Sequence, residues 1–188
     1  PRQGRRQRQM CIRDRIRTVC LTAMLAVSTA YAWDPKKAEK LHEKAMEAKA
    51  EMLEDDPDMQ RFFDSAVAYV IIPTVGKGGI GIGGARGKGL LYEGGASTAE
   101  VTLTQLTVGF QWGGQAYSEF IFFKDDVALA DFKRGNYELG AQASAVAVTA
   151  GASADANYSG GVAIFTRAKG GLMYEASVGG QKFKVDSE

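Results

Sequence analysis

The feature that most constrains the fold is a glycine-rich segment at residues 76–95, which contains ten glycines in twenty residues. It follows a β-branched run at residues 66–72, which is closed by Pro73 and predicts a buried strand. Within the segment, glycine alternates with Ile80 and Ile82. We therefore expect an extended strand whose glycine face contacts another backbone or an aromatic ring.

The same segment satisfies the dinucleotide-binding motif G-x-G-x-x-G at residues 79–84. That motif requires a helix that begins at its third glycine and an acidic residue about 20 residues later. Residues 85–91 instead continue the extended, glycine-rich pattern. A phosphate-binding P-loop is excluded as well, because Gly89 stands where serine or threonine would bind magnesium.

Helical periodicity is confined to three stretches. Residues 34–54 predict a helix that begins at Asp34 and Pro35. Shorter helices are expected at residues 58–65 and 126–134, the latter capped by Asp125. The side chains that we expect to face inward are Ala38, Leu41, Ala45, Ala48, Met52, Leu53, Met59, Phe62, Phe63, Val127, Ala130 and Phe132.

The other regular stretches are extended, and they predict an α+β fold. Parallel strands need crossovers of a dozen or more residues, usually helical, and only one candidate helix lies between strands. We therefore expect a mostly antiparallel, glycine-rich β-sheet that could curl into a barrel-like shape, with N-terminal helices and one helix near residues 126–134. The predicted strands after the glycine-rich segment lie at residues 101–108, 111–123, 139–150, 159–167, 170–178 and 181–185. The predicted domains are a leader and signal peptide at 1–32, a helical segment at 33–60 and a β-rich domain at 61–188.

The first 32 residues predict a basic leader followed by a signal peptide. Seven arginines precede a short uncharged run at residues 19–27, and Ala30-Tyr31-Ala32 provides the small residues of a signal-peptidase site. The run is too short for a membrane anchor, which needs about 20 apolar residues. Met10 and Met24 are both candidate starts, and residues 1–9 could be non-native. We expect an exported protein, periplasmic or secreted, that could associate peripherally with a membrane.

Removal of the leader would reverse the charge of the protein. Residues 1–32 hold seven of the 23 basic residues and one of the 22 acidic residues, so the net charge shifts from +1 to about −5. Nucleic-acid binding then loses its electrostatic support. Cys11 and Cys20 lie in the same leader, so the rest of the chain has no thiol for a disulfide, a nucleophile or a metal site.

No residue pattern points to catalysis, and we expect a protein that is not an enzyme and needs no cofactor. His42 is the single histidine, and we expect it to be solvated on the polar edge of the first helix. One histidine without cysteine does not suit a zinc enzyme. The acidic pairs Asp55-Asp56 and Asp125-Asp126 fall at helix ends, where capping explains them. A hydrolase that uses carboxylates alone stays an open alternative.

Cations gather in three glycine-rich turns of the predicted sheet. In the first of these, between residues 73 and 92, there are three cations and no acid. Accessible backbone N–H groups flanked by cations suit phosphate groups, whereas the simpler interpretation is ordinary exposed cations on turns. The sequence does not show whether the turns converge. Their cations are Lys77, Arg86 and Lys88; Arg167 and Lys169; and Lys182 and Lys184.

Several of these segments resemble the SYLF domain family, over most of residues 60–185 and in order. Members of that family are described as lipid-binding: eukaryotic members bind phosphoinositides and associate with actin patches, and bacterial members are often small exported proteins. One departure lies at residues 97–100, where many relatives carry Trp and Pro. The resemblance rests on residues 66–91, on Val108-Gly109-Phe110-Gln111-Trp112-Gly113-Gly114, on Leu139-Gly140-Ala141-Gln142-Ala143-Ser144, and on the final segment from Gly171-Leu172 to Phe183.

The resemblance implies a non-enzymatic, lipid-binding domain of the bacterial envelope that recognises anionic phospholipid headgroups. Its partner would be an anionic phospholipid or a membrane surface, and not a nucleic acid. Two alternatives stay open: an envelope structural or protein-interaction module without lipid dependence, and an uncharacterised hydrolase. The candidate headgroup-binding residues are Lys77, Arg86, Lys88, Arg167 and Lys169.

Overall fold

A computed structural model describes residues 35–109, 115–134, 137–140, 144–149, 151–169 and 176–187. The description covers only the backbone at residues 35, 79–82, 107–109, 144, 152, 155, 176, 177 and 187. The predicted leader and signal peptide, residues 1–32, lie outside the described residues. So do residues 111–114, 141–143, 150 and 170–175 of the predicted strands. No described helix is long and apolar enough to cross a membrane.

Three α-helices are present in the described chain. Helix α1 spans Pro35–Asp55, α2 spans Gln60–Ser65 and α3 spans Asp126–Lys133. The first and last agree with the predicted helices to within one residue. The second predicted helix begins instead as a 3₁₀ turn at Pro57–Met59. Asp56 caps this turn, because its carboxylate accepts from the Asp58 N–H at 3.2 Å.

Eight strands form one sheet in the order β4-β8-β2-β1-β3-β6-β5-β7. Neighbouring strands are antiparallel except for β5 and β6, and the sheet curls into a half-barrel. The predicted α+β fold with a mostly antiparallel sheet is thereby confirmed. The strands are β1 Ala68–Glu93, β2 Ala96–Gly109, β3 Gln115–Phe123, β4 Tyr137–Glu138, β5 Ser144–Ala147, β6 Val162–Ala168, β7 Ala176–Ser177 and β8 Gln181–Ser187.

Strand β1 is 26 residues long and organises the sheet. Its first part, residues 68–77, pairs with β3, and its last part, residues 81–93, pairs with β2. The expectation that Pro73 ends the strand is wrong. The register with β3 shifts between Ile72 and Val75, so proline, which lacks an N–H, lies in an irregularity of the ladder. The Pro73 carbonyl accepts from the buried Ser118 hydroxyl at 3.0 Å.

The two parts of β1 approach each other across the concave face of the half-barrel. A Cβ added at Gly87 would lie 2.7 Å from Cγ2 of Ile72, and one added at Gly89 would overlap the Ile71 carbonyl oxygen. Only glycine allows this approach. The expected contact between a glycine face and another backbone therefore occurs at Gly87 and Gly89.

The sheet buries apolar side chains on both faces. The inner, concave face carries a cluster that includes Val70, Leu103 and Phe183. The outer face carries an aromatic cluster, which includes Phe120, Phe122 and Phe165, and helices α1 and α2 cover it. The predicted stripe of α1 is buried at Ala45, Ala48 and Met52, and α2 with its 3₁₀ turn buries Met59, Phe62 and Phe63 as expected. The small alanines let α1 lie close to the aromatic rings.

Helix α3 presents a different face from the one expected. Val127 is 73 % exposed and Ala130 is exposed, whereas Ala128 and Leu129 are buried together with Phe132. Both sets of positions fit a helical period, so periodicity alone does not separate them. Contacts of the Phe132 ring with Phe123 and Phe183, at 4.9 and 5.5 Å between centroids, fix the rotation of the helix.

Replacing Gly89 by alanine should destabilise the fold, by about 1–3 kcal/mol or more, because the added methyl group meets backbone that cannot rotate away. Urea titrations of unfolding would measure the loss. Gly76→Ala is the matched control in the same strand, since a Cβ there meets nothing within 4 Å. If Gly89→Ala and the wild type unfolded at the same urea concentration, the close contact between the two parts of β1 would be contradicted.

Candidate ligand-binding cavity

A cavity of about 520 Å³ lies at one end of the sheet, where β1, β2 and β8 meet. Glycines on β1 and before β8 leave part of its wall without side chains, and two cations, Arg86 and Lys182, also line it. Pockets of this size accommodate small ligands or the head of a larger one. The lining residues are Gly76, Gly84, Ala85, Arg86, Thr104, Gln105, Leu106, Gly180 and Lys182.

The strand register places the two cations on one face of the sheet. Arg86 of β1 is paired with Thr104 of β2, and Thr104 is paired with Lys182 of β8. Directly paired residues project to the same side, and neighbouring strands are about 4.8 Å apart. The Cα atoms of Arg86 and Lys182 are therefore about 10 Å apart, with the Thr104 hydroxyl side chain between them. This row can hold an anionic group.

The two cations of this row, Arg86 and Lys182, differ in their ion pairs with acidic residues. Within the described part of the chain, Arg86 forms no ion pair, and its side chain is exposed. Lys182 forms an ion pair with Glu138, with Nζ 3.3 Å from the carboxylate. Both residues of that pair are exposed, so the pair contributes little stability and leaves Lys182 available.

The five predicted headgroup residues do not gather at one place. Arg86 lines the cavity, and Lys77 follows the lining residue Gly76. Lys88 forms an ion pair with Glu100 across to β2. Lys169 lies near the same end of the sheet, since its N–H donates to the carbonyl of Ala116, the partner of Gly76.

Arg167 forms ion pairs with helix α1 instead. Its Nη1 lies 2.7 Å from a Glu51 oxygen and its Nε 2.5 Å from an Asp55 oxygen. The guanidinium thus connects β6 to the last turns of α1. The first and third basic turns of the sequence converge at the cavity through Arg86 and Lys182, whereas Arg167 is engaged by α1. That any of these residues binds a headgroup stays a prediction.

A buried polar cluster, which was not predicted from the sequence, lies inside the half-barrel. Glu119 of β3 is fully buried, and its carboxylate accepts from Nε2 of Gln181 at 3.0 Å. The same amide donates to the Tyr117 hydroxyl at 3.3 Å. Because β8 and β3 are separated by β2 and β1 in the sheet, this bridge spans the interior of the curl. The only signal in the sequence is one acid on the otherwise uncharged strand at residues 115–123.

The environment of Glu119 favours its neutral form. Burial raises the pKa of the carboxyl to about 8, although hydrogen bonds with Gln181 and Tyr117 oppose the rise. No basic side chain of the described chain forms an ion pair with it. The carboxyl is therefore protonated at neutral pH, and the interior carries little net charge.

His42 is exposed, as expected, but it is not purely solvated. Its Nδ1 lies 3.0 Å from the hydroxyl of the buried Tyr92, which stacks on Tyr69 with centroids 5.2 Å apart. Burial, and secondarily Tyr69, raise the pKa of the Tyr92 phenol, so it stays protonated and can donate to the imidazole. The contact helps to position α1 on the sheet.

One member of each acidic pair, Asp56 and Asp125, caps a helix as expected, whereas Asp55 forms an ion pair with Arg167. Asp125 accepts from the Ala128 N–H at 2.9 Å, and Asp56 accepts from the Ser153 N–H at 2.9 Å. Burial would raise the pKa of Asp56, but the backbone and side-chain hydrogen bonds outweigh it and the pKa is lowered. Among the described residues, no group of three or more His, Cys, Asp or Glu side chains could hold a metal ion.

Comparison with known proteins connects this fold to a family. Residues 104–188 match the family model of Ysc84, which is described as Las17-binding protein actin regulator. This stretch is a Ysc84, or SYLF, domain. The resemblance to the SYLF family is thereby confirmed for residues 104–188, from the last part of β2 through β8, which include Thr104 and Lys182 at the cavity.

One curated relative has a similar segment. The protein named "Beta cell expansion factor A" from Aeromonas veronii is 30 % identical over 76 residues, which is 40 % of this chain and 29 % of that protein. The matched stretch thus covers less than a third of the length of the relative.

Replacing Glu119 by glutamine should weaken the pH dependence of stability. The folded pKa of about 8 lies above the ordinary value of 4.5, so the folded state keeps a proton that the unfolded chain releases. This contribution is fully present below the unfolded pKa and is lost as the pH rises through the folded pKa. Between these values the free energy of unfolding should fall by about 1.4 kcal/mol per pH unit.

Urea titrations at a series of pH values would measure this slope. The wild type should show it, Glu119→Gln should show less of it, and Glu138→Gln, which alters an exposed carboxyl, should keep it. Identical slopes for the wild type and Glu119→Gln would mean that Glu119 ionises normally in the folded protein.

Proposed function

We propose that this chain is a non-enzymatic lipid-binding protein that recognises anionic phospholipid headgroups at the cavity between β1, β2 and β8. The observation that carries the proposal is the row Arg86–Thr104–Lys182, which places two cations and a hydroxyl on one face of the sheet. Phosphodiesters are bound by such combinations of cations and neutral donors.

The family supports this assignment, because SYLF domains are described as lipid-binding. The composition of the site supports it further. Three glycines expose the backbone on the cavity wall, so a phosphate can approach closely. From the predicted signal peptide we propose that the protein is exported, periplasmic or secreted, where phospholipid surfaces are accessible.

Attraction to the membrane has to be local in this protein. Without residues 1–32 the chain carries a net charge of about −5. The positive potential of Arg86 and Lys182 therefore acts only near the cavity and should be screened over a Debye length of about 10 Å at 0.1 M salt.

Vesicle pelleting tests the proposal with the purified protein. Vesicles of phosphatidylglycerol should pellet the wild type, and vesicles of phosphatidylcholine should not. Arg86→Ala and Lys182→Ala should each weaken the binding about fivefold, because one cation near an anionic surface contributes about 1 kcal/mol. Lys184→Ala is the matched control, since Lys184 lies on the same face of β8, outside the cavity, with Nζ 2.6 Å from the Asp186 carboxylate.

The proposal would be refuted if the protein bound vesicles of both lipids equally, or if neither cavity variant weakened the binding.

The second candidate is a protein-interaction module, favoured by the description of the family model as Las17-binding. It predicts capture of a protein partner that is the same with and without lipid. A hydrolase is the least supported candidate, because the described residues bring together no nucleophile, base and orienting acid around the cavity.

A further inference from the structure

Leu106 stands out at the rim of the cavity. Its side chain is 85 % exposed, and it is the most exposed large apolar side chain of the described residues. Single exposed leucines are common on protein surfaces and need no explanation by themselves. The position of this one is informative, because it lines the same cavity as Arg86 and Lys182.

The strand register puts Leu106 on the face that carries the cations. Leu106 is paired with Gly84, two residues from Arg86 on β1, and it lies two residues from Thr104 on β2. Residues two apart on a strand project to the same side of the sheet. Leu106, Arg86 and Lys182 therefore project from one surface, which we call the rim surface.

The helices do not cover the rim surface. Further along the same face of β1, Leu90 and Tyr92 are buried beneath α1, and the ion pair of Lys88 with Glu100 follows. Beyond that ion pair, Arg86, Thr104 and Leu106 are exposed in the part of the chain that the structure describes. The pairing of β2 with β8 also ends at Gln105, so Leu106 is the first residue past the last pair.

We propose that the rim surface docks on a lipid bilayer, with Leu106 entering its apolar layer while Arg86 and Lys182 bind phosphates above it. This inference rests on the proposed function and adds the orientation of the protein on the membrane. The arrangement matches the layers of a bilayer interface, in which anionic headgroups lie within about 5–10 Å of apolar chains. Arginine and lysine can extend toward the phosphates while the neighbouring leucine points deeper.

Charge argues against a second copy of the chain as the occupant. A two-fold interface through the rim surface would bring Arg86 and Lys182 toward the same residues of the partner. Like charges in direct opposition are destabilising, and the ion pairs of the described residues engage Glu138 with Lys182 and Glu100 with Lys88. An anionic surface removes this repulsion, since it supplies the opposite charge.

The first test compares vesicle binding of Leu106→Ser with Val127→Ser, using equal parts of phosphatidylglycerol and phosphatidylcholine. Val127 is the matched control, because it is 73 % exposed and lies on α3, past the end of β3 that is remote from the cavity. Leu106→Ser should weaken the binding about tenfold, which reflects loss of the burial of one leucine side chain. Val127→Ser should bind as the wild type does.

A soluble headgroup separates this inference from the proposed function. Glycerophosphoglycerol, which has no acyl chains, should bind equally to the wild type and to Leu106→Ser and should bind more weakly to Arg86→Ala. If Leu106→Ser binds vesicles as the wild type does while Arg86→Ala does not, membrane insertion is overturned and headgroup binding stands. If the wild type binds neither probe, the proposed function itself fails.

Insertion can also be observed directly with an environment-sensitive fluorophore. The full chain with Cys11→Ser and Cys20→Ser would carry bimane at Leu106→Cys or at Val127→Cys. Emission from position 106 should shift to the blue on addition of the mixed vesicles, and emission from position 127 should not. An unshifted signal at 106 in protein that pellets with the vesicles would overturn the inference.

Discussion

The structure depends on the contact of β1 with itself at Gly87 and Gly89. Interior packing tolerates no overlap, so any Cβ at these positions would push the two parts of the strand apart. The approach lets one strand pair with β3 at its start and with β2 at its end. It thereby gives the sheet its curl, separates a concave from a convex face, and places β8 across the interior from β3.

The curl assigns different chemistry to the two faces. The concave face holds one apolar cluster and, at its centre, the bridge between Gln181 and Glu119, whose pKa is raised to about 8 by burial. The convex face holds aromatic rings beneath α1, followed by an ion pair and then the open surface with Arg86, Lys182 and Leu106. Charge and exposure therefore increase along one face, from the helix toward the cavity.

Much of the fold could be predicted from local pattern. Capping residues and a single apolar stripe were sufficient for α1, because helix periodicity and caps are local properties. The rotation of α3 could not be predicted, since Val127 and Leu129 both fit an apolar stripe, and only contacts with Phe123 and Phe183 distinguish them. The prediction that the strand ends at Pro73 was wrong for a similar reason. A shift in strand register, which the sequence does not display, accommodates proline inside β1.

The candidate site was predictable in part. The sequence identified Arg86 as a cation without nearby acids along the chain, but acids distant in sequence decide which cations are available. Glu51 and Asp55 on α1 engage Arg167, and Glu100 on β2 engages Lys88. Lys182 belongs to the site because β8 pairs with β2, at a separation of 78 residues from Thr104.

The sequence by itself determined the glycine-rich strand, the helices and the family resemblance, which depend on residues close along the chain. The tertiary structure alone decided which cations share a surface and which acid is buried, because both follow from strand pairing across the curled sheet.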